Sequence, residues 1–591
     1  MFITEIWRNL YIRNNIRNKL LENVTIVMTV RYLNENNKYL QYIDHRYTNI
    51  CVALDSLDEY SESPYRRLIN IVEIHLPTTT LTKDTFGTDN SIVHLRIQSC
   101  LAIESLPDNI ERLQLRYLDR DIDDSLQLPR NLLELELSNF DRDIRPNSLP
   151  SCLKTLRLSF NFNRPLLPNA LPESLTLLSL GRCFKQSIGA GVLPTSLKEL
   201  TMGGSPITPI TNQLATAIFP PSLESFTITH DRFTTVPRVP FMVTKLLFHA
   251  FIFTKQLQVN DIPSSVVYLD LSRYTYKLYP NVIPYGVETL IASSYNLSID
   301  VNDLPDSITS LDMQTFNQSL VNLPRKLSRL TLDSFNRPIA PNTLVEPLKY
   351  CHLPNFQHNL PPLPSSITYL NIKRADLLDL SILSNSCAKE LVINDLLSPV
   401  VFNSSNGNND FKHLTTIELV SSKYKLKAFI IPCTVKNVIL LNYDFDLDVN
   451  AIPISVSSLY YSSNLNTEPT LHFPNSITNL TMHVNFPIRV GLVPSSVTCL
   501  SFMYHQYRLP MNSIPPSIRK LVFKQNLELP LEPDEIPNTV EKLVLQGWIT
   551  DSLSLHSIPR TVSVLKSNSF IKDIDSIIDS KSDIILSNIF Q

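Results

Sequence analysis

Apolar and polar positions alternate in a short block that recurs along most of the chain. The block has the form L-P-x-S-L-x-x-L-x-L, and the two apolar residues of its closing L-x-L point to one face of a short β-strand. The first of these two residues recurs from Leu113 to Leu565 at intervals of 19 to 26 residues, and Tyr350 takes the position in one degenerate copy. Clear copies are LPDNIERLQL (106–115), LPSCLKTLRL (149–158), LPESLTLLSL (171–180), LPSSITYLNI (363–372) and VPSSVTCLSF (493–502).

A coil of about 21 residues cannot enclose a core by itself, whereas stacked coils can share one. Each strand then pairs with its neighbours, and the leucines form columns inside. The proline fits the segment that enters the strand, because it fixes φ and needs no hydrogen-bond acceptor for an N–H. The spacing therefore predicts a repeat solenoid with one continuous parallel β-sheet.

A second motif follows the strand in many copies. It consists of an aromatic residue, then Asn or Asp, two further residues, and Ile or Leu. Examples are SNFDRDI (138–144), SFNFNRPL (159–166), SYNLSI (294–299), TFNQSL (315–320) and SFNRPI (334–339). Together the two motifs resemble the FNIP repeat, a relative of the leucine-rich repeat, over residues 100–567.

This resemblance implies a leucine-rich-repeat-like horseshoe or superhelix, with little helix except at the caps. It also implies that the aromatic residues of the second motif lie in the core and that its asparagines bond backbone at a turn. The residues concerned are Phe140, Phe162, Phe316 and Phe335, and Asn163, Asn317 and Asn336.

The array needs a cap at each end, because a terminal coil exposes core. We predict a helical N-terminal cap over residues 1–65, the solenoid of about 22–24 coils over 66–567, and a C-terminal capping helix over 568–591. The repeat is irregular at 340–355 and 373–420, but the strand anchors keep their regular spacing through both segments.

The N-terminal segment has an alternative interpretation. Some FNIP-repeat proteins resemble F-box proteins at their N-termini, so this segment could instead be an adaptor-binding helical module. It lacks the opening leucine-proline that is usual in that module.

Composition narrows the choice of function. The 52 basic and 55 acidic residues give a net charge of −3, which provides no electrostatic argument for nucleic acid or an anionic membrane. The eight cysteines are widely dispersed, which favours buried thiols in a reducing compartment over disulfides. With no signal-like N-terminus and no long apolar run, the sequence predicts a cytoplasmic location.

Motifs that carry chemistry are not evident. The twelve histidines are scattered, the HExxH and G-x-S-x-G motifs are absent, and the Gly203-Gly204 pair lacks a strand–helix phosphate context. Four carboxylates in DRDIDDSL (119–126) are best interpreted as a solvated turn. We therefore expect no enzyme activity, cofactor, metal site or small-molecule substrate.

The middle residue of L-x-L should face solvent on the concave side of the sheet. This position is mostly polar in the N-terminal half and more apolar later, and exposed apolar clusters mark interaction sites. We predict a non-enzymatic scaffold that binds an unidentified protein partner there; a substrate receptor of a ubiquitin ligase is the alternative. The proposed contact residues are Ile439, Tyr460, Val522 and Val544, with Tyr461 at the rim.

Overall fold

The computed structural model divides the chain into two compact units, Met1–Met313 and Gln314–Gln591. The residues that it describes are 24–40, 48–54, 56–75, 80–87, 91–98, 102–203, 218–229, 232–233, 239–249, 252–374, 383, 386–395, 411–504, 507–525, 531–532, 534–546, 558–562, 564–567 and 585–587.

Unit 1 (Met1–Met313) consists mainly of short strands. Its described helices are α1 Val30–Leu40, α2 Leu57–Glu62 and the 3₁₀ turns Arg66–Leu68 and Lys83–Phe86. Its strands are β1 Val24–Met28, β2 Thr48–Leu54, β3 Ile71–Ile74, β4 Thr80–Leu81, β5 His94–Ile97, β6 Ala102–Ile103, β7 Arg112–Tyr117, β8 Glu134–Asn139, β9 Thr155–Arg157, β10 Leu177–Ser179, β11 Glu199–Gly203, β12 Ser225–Thr229, β13 Arg232–Phe233, β14 Lys245–His249, β15 Ile252–Phe253, β16 Tyr268–Asp270, β17 Thr289–Ile291 and β18 Ser310–Asp312.

Unit 2 (Gln314–Gln591) repeats the same design. Its strands are β19 Arg329–Thr331, β20 Tyr350–Leu353, β21 Tyr369–Arg374, β22 Glu390–Asp395, β23 Thr416–Leu419, β24 Asn437–Leu440, β25 Ser458–Ser462, β26 Asn479–His483, β27 Cys499–Tyr504, β28 Lys520–Phe523, β29 Lys542–Leu545, β30 Val564–Ser567 and β31 Ile585–Ser587.

The strands pair in parallel, and the leucines predicted to lie inside form columns. In unit 1, Leu113 of β7 pairs with Leu135 of β8, which pairs with Leu156 of β9, and all three are buried. In unit 2, Leu459 and Leu480 are paired and buried in the same way. Each unit is therefore a parallel β-solenoid, which confirms the predicted fold class.

In many coils the serine of L-P-x-S-L ties the coil to the one before it. The Ser174 hydroxyl donates to the carbonyl of Leu153, and the Ser196 hydroxyl donates to the carbonyl of Leu175, each over 2.7 Å. The same bond recurs in unit 2, for example from Ser476 to Val456. A short hydroxyl residue is needed because the acceptor is a carbonyl at the turn that the strand ladder leaves free.

The second motif builds a stacked aromatic spine. Phe162 lies between Phe140 and Phe184, with ring centroids 5.8 and 5.9 Å apart and planes nearly parallel. Phe316, Phe335 and Phe356 form an equivalent stack in unit 2. All six rings are buried, so the prediction that the motif aromatics are core spacers is confirmed.

The asparagines beside this spine form a second ladder. Asn163 Oδ1 accepts a 2.7 Å hydrogen bond from the backbone N–H of Lys185 in the next coil. Asn317 Oδ1 accepts from the N–H of Asn336, and Asn336 Oδ1 accepts from the N–H of Gln357. The predicted role of these asparagines is therefore confirmed.

Asparagine also replaces glycine at a tight turn. Asn169 (φ 63°) and Asn302 (φ 69°) adopt the left-handed conformation, and several equivalent asparagines do the same. Gly191 (φ 76°) and Gly491 (φ 85°) occupy this position in two coils. Asparagine tolerates positive φ better than other residues with a Cβ, which explains how a chain with 10 glycines makes so many turns.

One strand anchor differs from the prediction. Leu330 pairs with Cys351, which pairs with Leu370, so Cys351 points inward and is buried. Tyr350 precedes it and points to the outer side of the sheet. The assignment of Tyr350 as an anchor was wrong, because it favoured the larger apolar residue over a small thiol that fills the same column.

The two ends of the chain also differ in part from expectation. Within residues 1–65, the described segments contain α1 and α2 but also β1 and β2, which pair with each other and with β3. Their sequences, VTIVM and TNICVAL, are rich in β-branched residues, which favour strands. Near the other end, Ile585–Ser587 is a strand paired with β30. Residues 1–23 of the predicted N-terminal cap and most of the predicted helix at 568–591 lie outside the described residues.

His94 gives unit 1 a sensitivity to acid. The residue is 8% exposed, and its Nε2 has no hydrogen-bond partner within the described ranges. Burial, with the charges of Arg96 and Arg112, lowers its pKa from 6.5 to about 4. Because the folded pKa is depressed, the neutral ring stabilises the fold above the unfolded pKa, and this stability is lost as the pH falls from 6.5 toward 4.

We expect the free energy of unfolding of this region to fall by about 2 kcal/mol between pH 7 and pH 5. Hydrogen exchange of β5 and β7 at the two pH values measures the change. His94→Gln should remove most of it, whereas His472→Gln, at an exposed position, should not. Equal pH dependence in the wild type and His94→Gln would contradict this assignment.

Candidate functional site

The outer side of the unit 2 sheet carries the side chains that alternate with the buried anchors. We call this surface the sheet face; it consists of the middle residue of each L-x-L and the residue before its first anchor. Ile439 and Tyr460 lie on it as predicted, paired on neighbouring strands and half-buried.

The other predicted contact residues are less accessible. Val522 and Val544 occupy paired positions on the sheet face but are only 5% and 4% exposed. Small β-branched side chains on adjacent parallel strands cover one another. Tyr461 is fully buried and points inward, because it takes the second anchor position after Leu459. Its predicted place at the rim was wrong.

Sequence reasoning missed the most developed cluster on the sheet face, which we call the aromatic stack (Arg329, Tyr350, His352 and Tyr369). The Tyr350 and Tyr369 rings lie 4.2 Å apart at an interplanar angle of 6°. The Arg329 guanidinium carbon lies 3.6 Å from the centroid of the Tyr350 ring. Such cation–π and ring-stacking contacts fix side chains that would otherwise be mobile.

His352 and its neighbours complete the edge of the aromatic stack. The His352 Nδ1 and Tyr369 Oη atoms lie 3.5 Å apart, and His352 Nε2 lies 3.6 Å from a carboxylate oxygen of Asp333. Asn394 donates a 2.9 Å hydrogen bond to Asn371, and Asn371 approaches the Tyr369 hydroxyl. The cluster therefore presents an ordered polar edge around two rings.

Burial sets the protonation of these groups. It raises the pKa of Tyr369 to about 12, so the phenol remains a neutral donor. Burial also lowers the pKa of His352, and the carboxylate of Asp333 partly opposes this shift. At neutral pH the imidazole is therefore mainly uncharged. Arg329 supplies the positive charge of the stack.

The sequence does contain a signal for the aromatic stack. The residue before the first anchor is Arg in SRLTL (328–332), Tyr in KYCHL (349–353) and Tyr in TYLNI (368–372), in three successive coils. An inspection of only the middle residue of L-x-L does not include the residue before the first anchor. The assignment of Tyr350 to an inward position also removed it from the set of surface residues.

In the described part of the chain, groups of His, Cys, Asp or Glu that could hold a metal ion do not occur. The helices within the same ranges are too short or too polar to cross a membrane. The aromatic stack therefore remains the candidate on which a function can be built.

Comparisons with known proteins agree with this fold. The family model described as FNIP Repeat matches residues 124–161, 162–205 and 506–547. No curated protein matches the sequence. The structure is similar to that of CroV588, a circular LRR protein, with 21% identity and a TM-score of 0.57 over 96% of this chain and 99% of that chain.

Two further structures show weaker likeness. YopM from Yersinia enterocolitica WA-314 shares 16% identity over 78% of this chain and 75% of that chain, with a TM-score of 0.22. TLR13, in its complex with ssRNA13, shares 15% identity over 88% of this chain and 69% of that chain, with a TM-score of 0.41. These two scores are too low to support a conclusion.

The three family matches, the register of the strands and the ladders of Phe, Asn and Ser residues point to one architecture. Three segments of this chain match the FNIP repeat, and each of its two units folds as a leucine-rich-repeat-like parallel β-solenoid.

Proposed function

We propose that this chain is a non-enzymatic scaffold that binds a protein partner on the sheet face of unit 2. The observation that carries the proposal is the aromatic stack, in which Arg329, Tyr350 and Tyr369 are held in contact on an accessible surface. Tyrosine and arginine are enriched among the residues that dominate binding energy at protein interfaces. A stack that is ordered before binding loses little side-chain entropy when a partner docks.

Ile439 and Tyr460 extend the same surface. They lie on β24 and β25, three and four strands beyond β21. At about 4.8 Å per strand this is roughly 15–20 Å from Tyr369, a span that a standard interface covers. We propose that Val522 and Val544 border this surface at its far end, where they contribute through backbone contacts and packing and not through exposed side chains.

Replacing both stack tyrosines is expected to abolish most partner binding. A partner identified by crosslinking to the full chain, then purified, should bind Tyr350→Ala/Tyr369→Ala at least roughly tenfold more weakly than the wild type. Isothermal titration calorimetry measures the affinity, and circular dichroism checks that the fold is retained. Tyr285→Ala, at an exposed turn of unit 1, is the matched control and should bind normally. An unchanged affinity of the folded double variant would contradict the proposal.

A further inference from the structure

Two carboxylates lie beside the aromatic stack on the sheet face. Glu390 pairs in register with Tyr369, on the next strand. Glu418 lies one strand further on, in register with Val392. Both side chains are half-buried, and burial together with the charge of Glu390 raises the pKa of Glu418. Among the described residues neither carboxylate forms an ion pair with a basic side chain.

On the corresponding face of unit 1, three carboxylates have polar partners on neighbouring strands. Glu134 pairs with Arg112 across 3.3 Å, and Glu73 lies 3.8 Å from Arg96. Glu136 accepts a hydrogen bond from Gln114. Polar neighbours on adjacent strands thus compensate these three acidic groups, whereas Glu390 and Glu418 are left as two like charges on adjacent strands, which disfavour each other.

The order of residues along the ladder suggests what would compensate them. The sequence across the strands is Arg329, Tyr350, Tyr369 and then Glu390. A guanidinium already covers one side of the paired rings, at Tyr350. The opposite side, at Tyr369, is followed by a carboxylate. A cation placed there would meet an aromatic ring and an acidic group together, which strengthens both interactions.

Lys373, a basic residue on the strand of Tyr369, does not fill that position. Lys373 lies on the same strand as Tyr369 but four residues further along, beyond Asn371. Its backbone N–H donates to the carbonyl of Phe356, which places it toward the turn.

We infer that the segment of the partner that docks on this face is basic, and that it presents an arginine or lysine to the Tyr369 ring and the Glu390–Glu418 pair. This inference rests on the proposed function and specifies the chemistry of the partner. An apolar or an acidic docking segment is the competing outcome.

A library of random peptides displayed on phage, selected against the purified full chain, tests this directly. Selected peptides should be enriched in arginine and lysine. Their synthetic forms should bind Glu390→Gln/Glu418→Gln roughly tenfold more weakly, because the isosteric change removes charge with little loss of volume. Glu134→Gln/Glu136→Gln, on the corresponding outer side of the unit 1 sheet, is the control and should leave the affinity unchanged.

The outcomes separate this inference from the proposed function. One result overturns the inference and leaves the proposed function intact: the selected peptides require Tyr350 and Tyr369 but are apolar or acidic. The same holds if such peptides bind the Glu390→Gln/Glu418→Gln variant as tightly as the wild type. A selection without peptides that depend on Tyr350 and Tyr369 overturns both. Basic peptides sensitive to both pairs of substitutions support both.

Discussion

Gly181→Ala is expected to lower the free energy of unfolding of the affected coils by about 3 kcal/mol or more. A Cβ atom in ideal geometry on Gly181 would lie 1.6 Å from the carbonyl oxygen of Ser159 in the preceding coil, and the contact is with backbone. The two coils cannot separate without breaking the parallel pairing of β9 with β10. Urea denaturation followed by circular dichroism, with hydrogen exchange of β9 and β10, measures the loss.

Gly189→Ala provides the matched control in the same coil. The atom nearest to an added Cβ there is 3.9 Å away, an ordinary contact distance. The substitution should leave stability unchanged or raise it slightly by restricting the unfolded chain. If Gly181→Ala were as stable as Gly189→Ala, the close approach of the two coils would be wrong.

Phe162→Ala should cost about 3–5 kcal/mol of stability. Phe162 is fully buried in the middle of the aromatic spine of unit 1, between Phe140 and Phe184. Truncation removes both stacking contacts and leaves a cavity that backbone pairing on either side prevents from closing. Thermal and urea denaturation of the purified variant measure the effect.

Phe160→Ala separates the role of the spine from a general loss of aromatic surface. Phe160 lies two residues earlier in the same coil, is 53% exposed and contacts the guanidinium of Arg182. Its removal should cost less than about 1 kcal/mol. Similar losses for Phe160→Ala and Phe162→Ala would count against the spine as a main source of stability.

Much of the fold follows from spacing alone. The columns of leucine, the phenylalanine spine and the asparagine ladder recur at intervals close to one coil, so their positions are encoded locally. The anchor near Cys351 was predicted one residue too early. The closing L-x-L distinguishes the two residues, because Cys351 leaves Leu353 as the second anchor whereas Tyr350 would leave the polar His352. The pairing of Cys351 with Leu330 and Leu370 places it in the inward column.

The candidate site was less accessible to sequence reasoning. Ile439 and Tyr460 were placed correctly on the sheet face, but the burial of Val522 and Val544 depends on side chains of adjacent strands. The aromatic stack requires aligned copies, since Arg329, Tyr350 and Tyr369 are about one coil apart in sequence and become neighbours only in register.

The serine bonds between consecutive coils have a consequence for how such a chain can change in length. Each donor, such as Ser174 or Ser196, and its acceptor occupy equivalent places in two successive turns. Duplicating or excising one complete turn therefore offers every hydroxyl a new carbonyl at the same distance, whereas a gain or loss of part of a turn leaves donors and acceptors out of step. Growth and shrinkage in whole-turn steps preserve the bonding pattern.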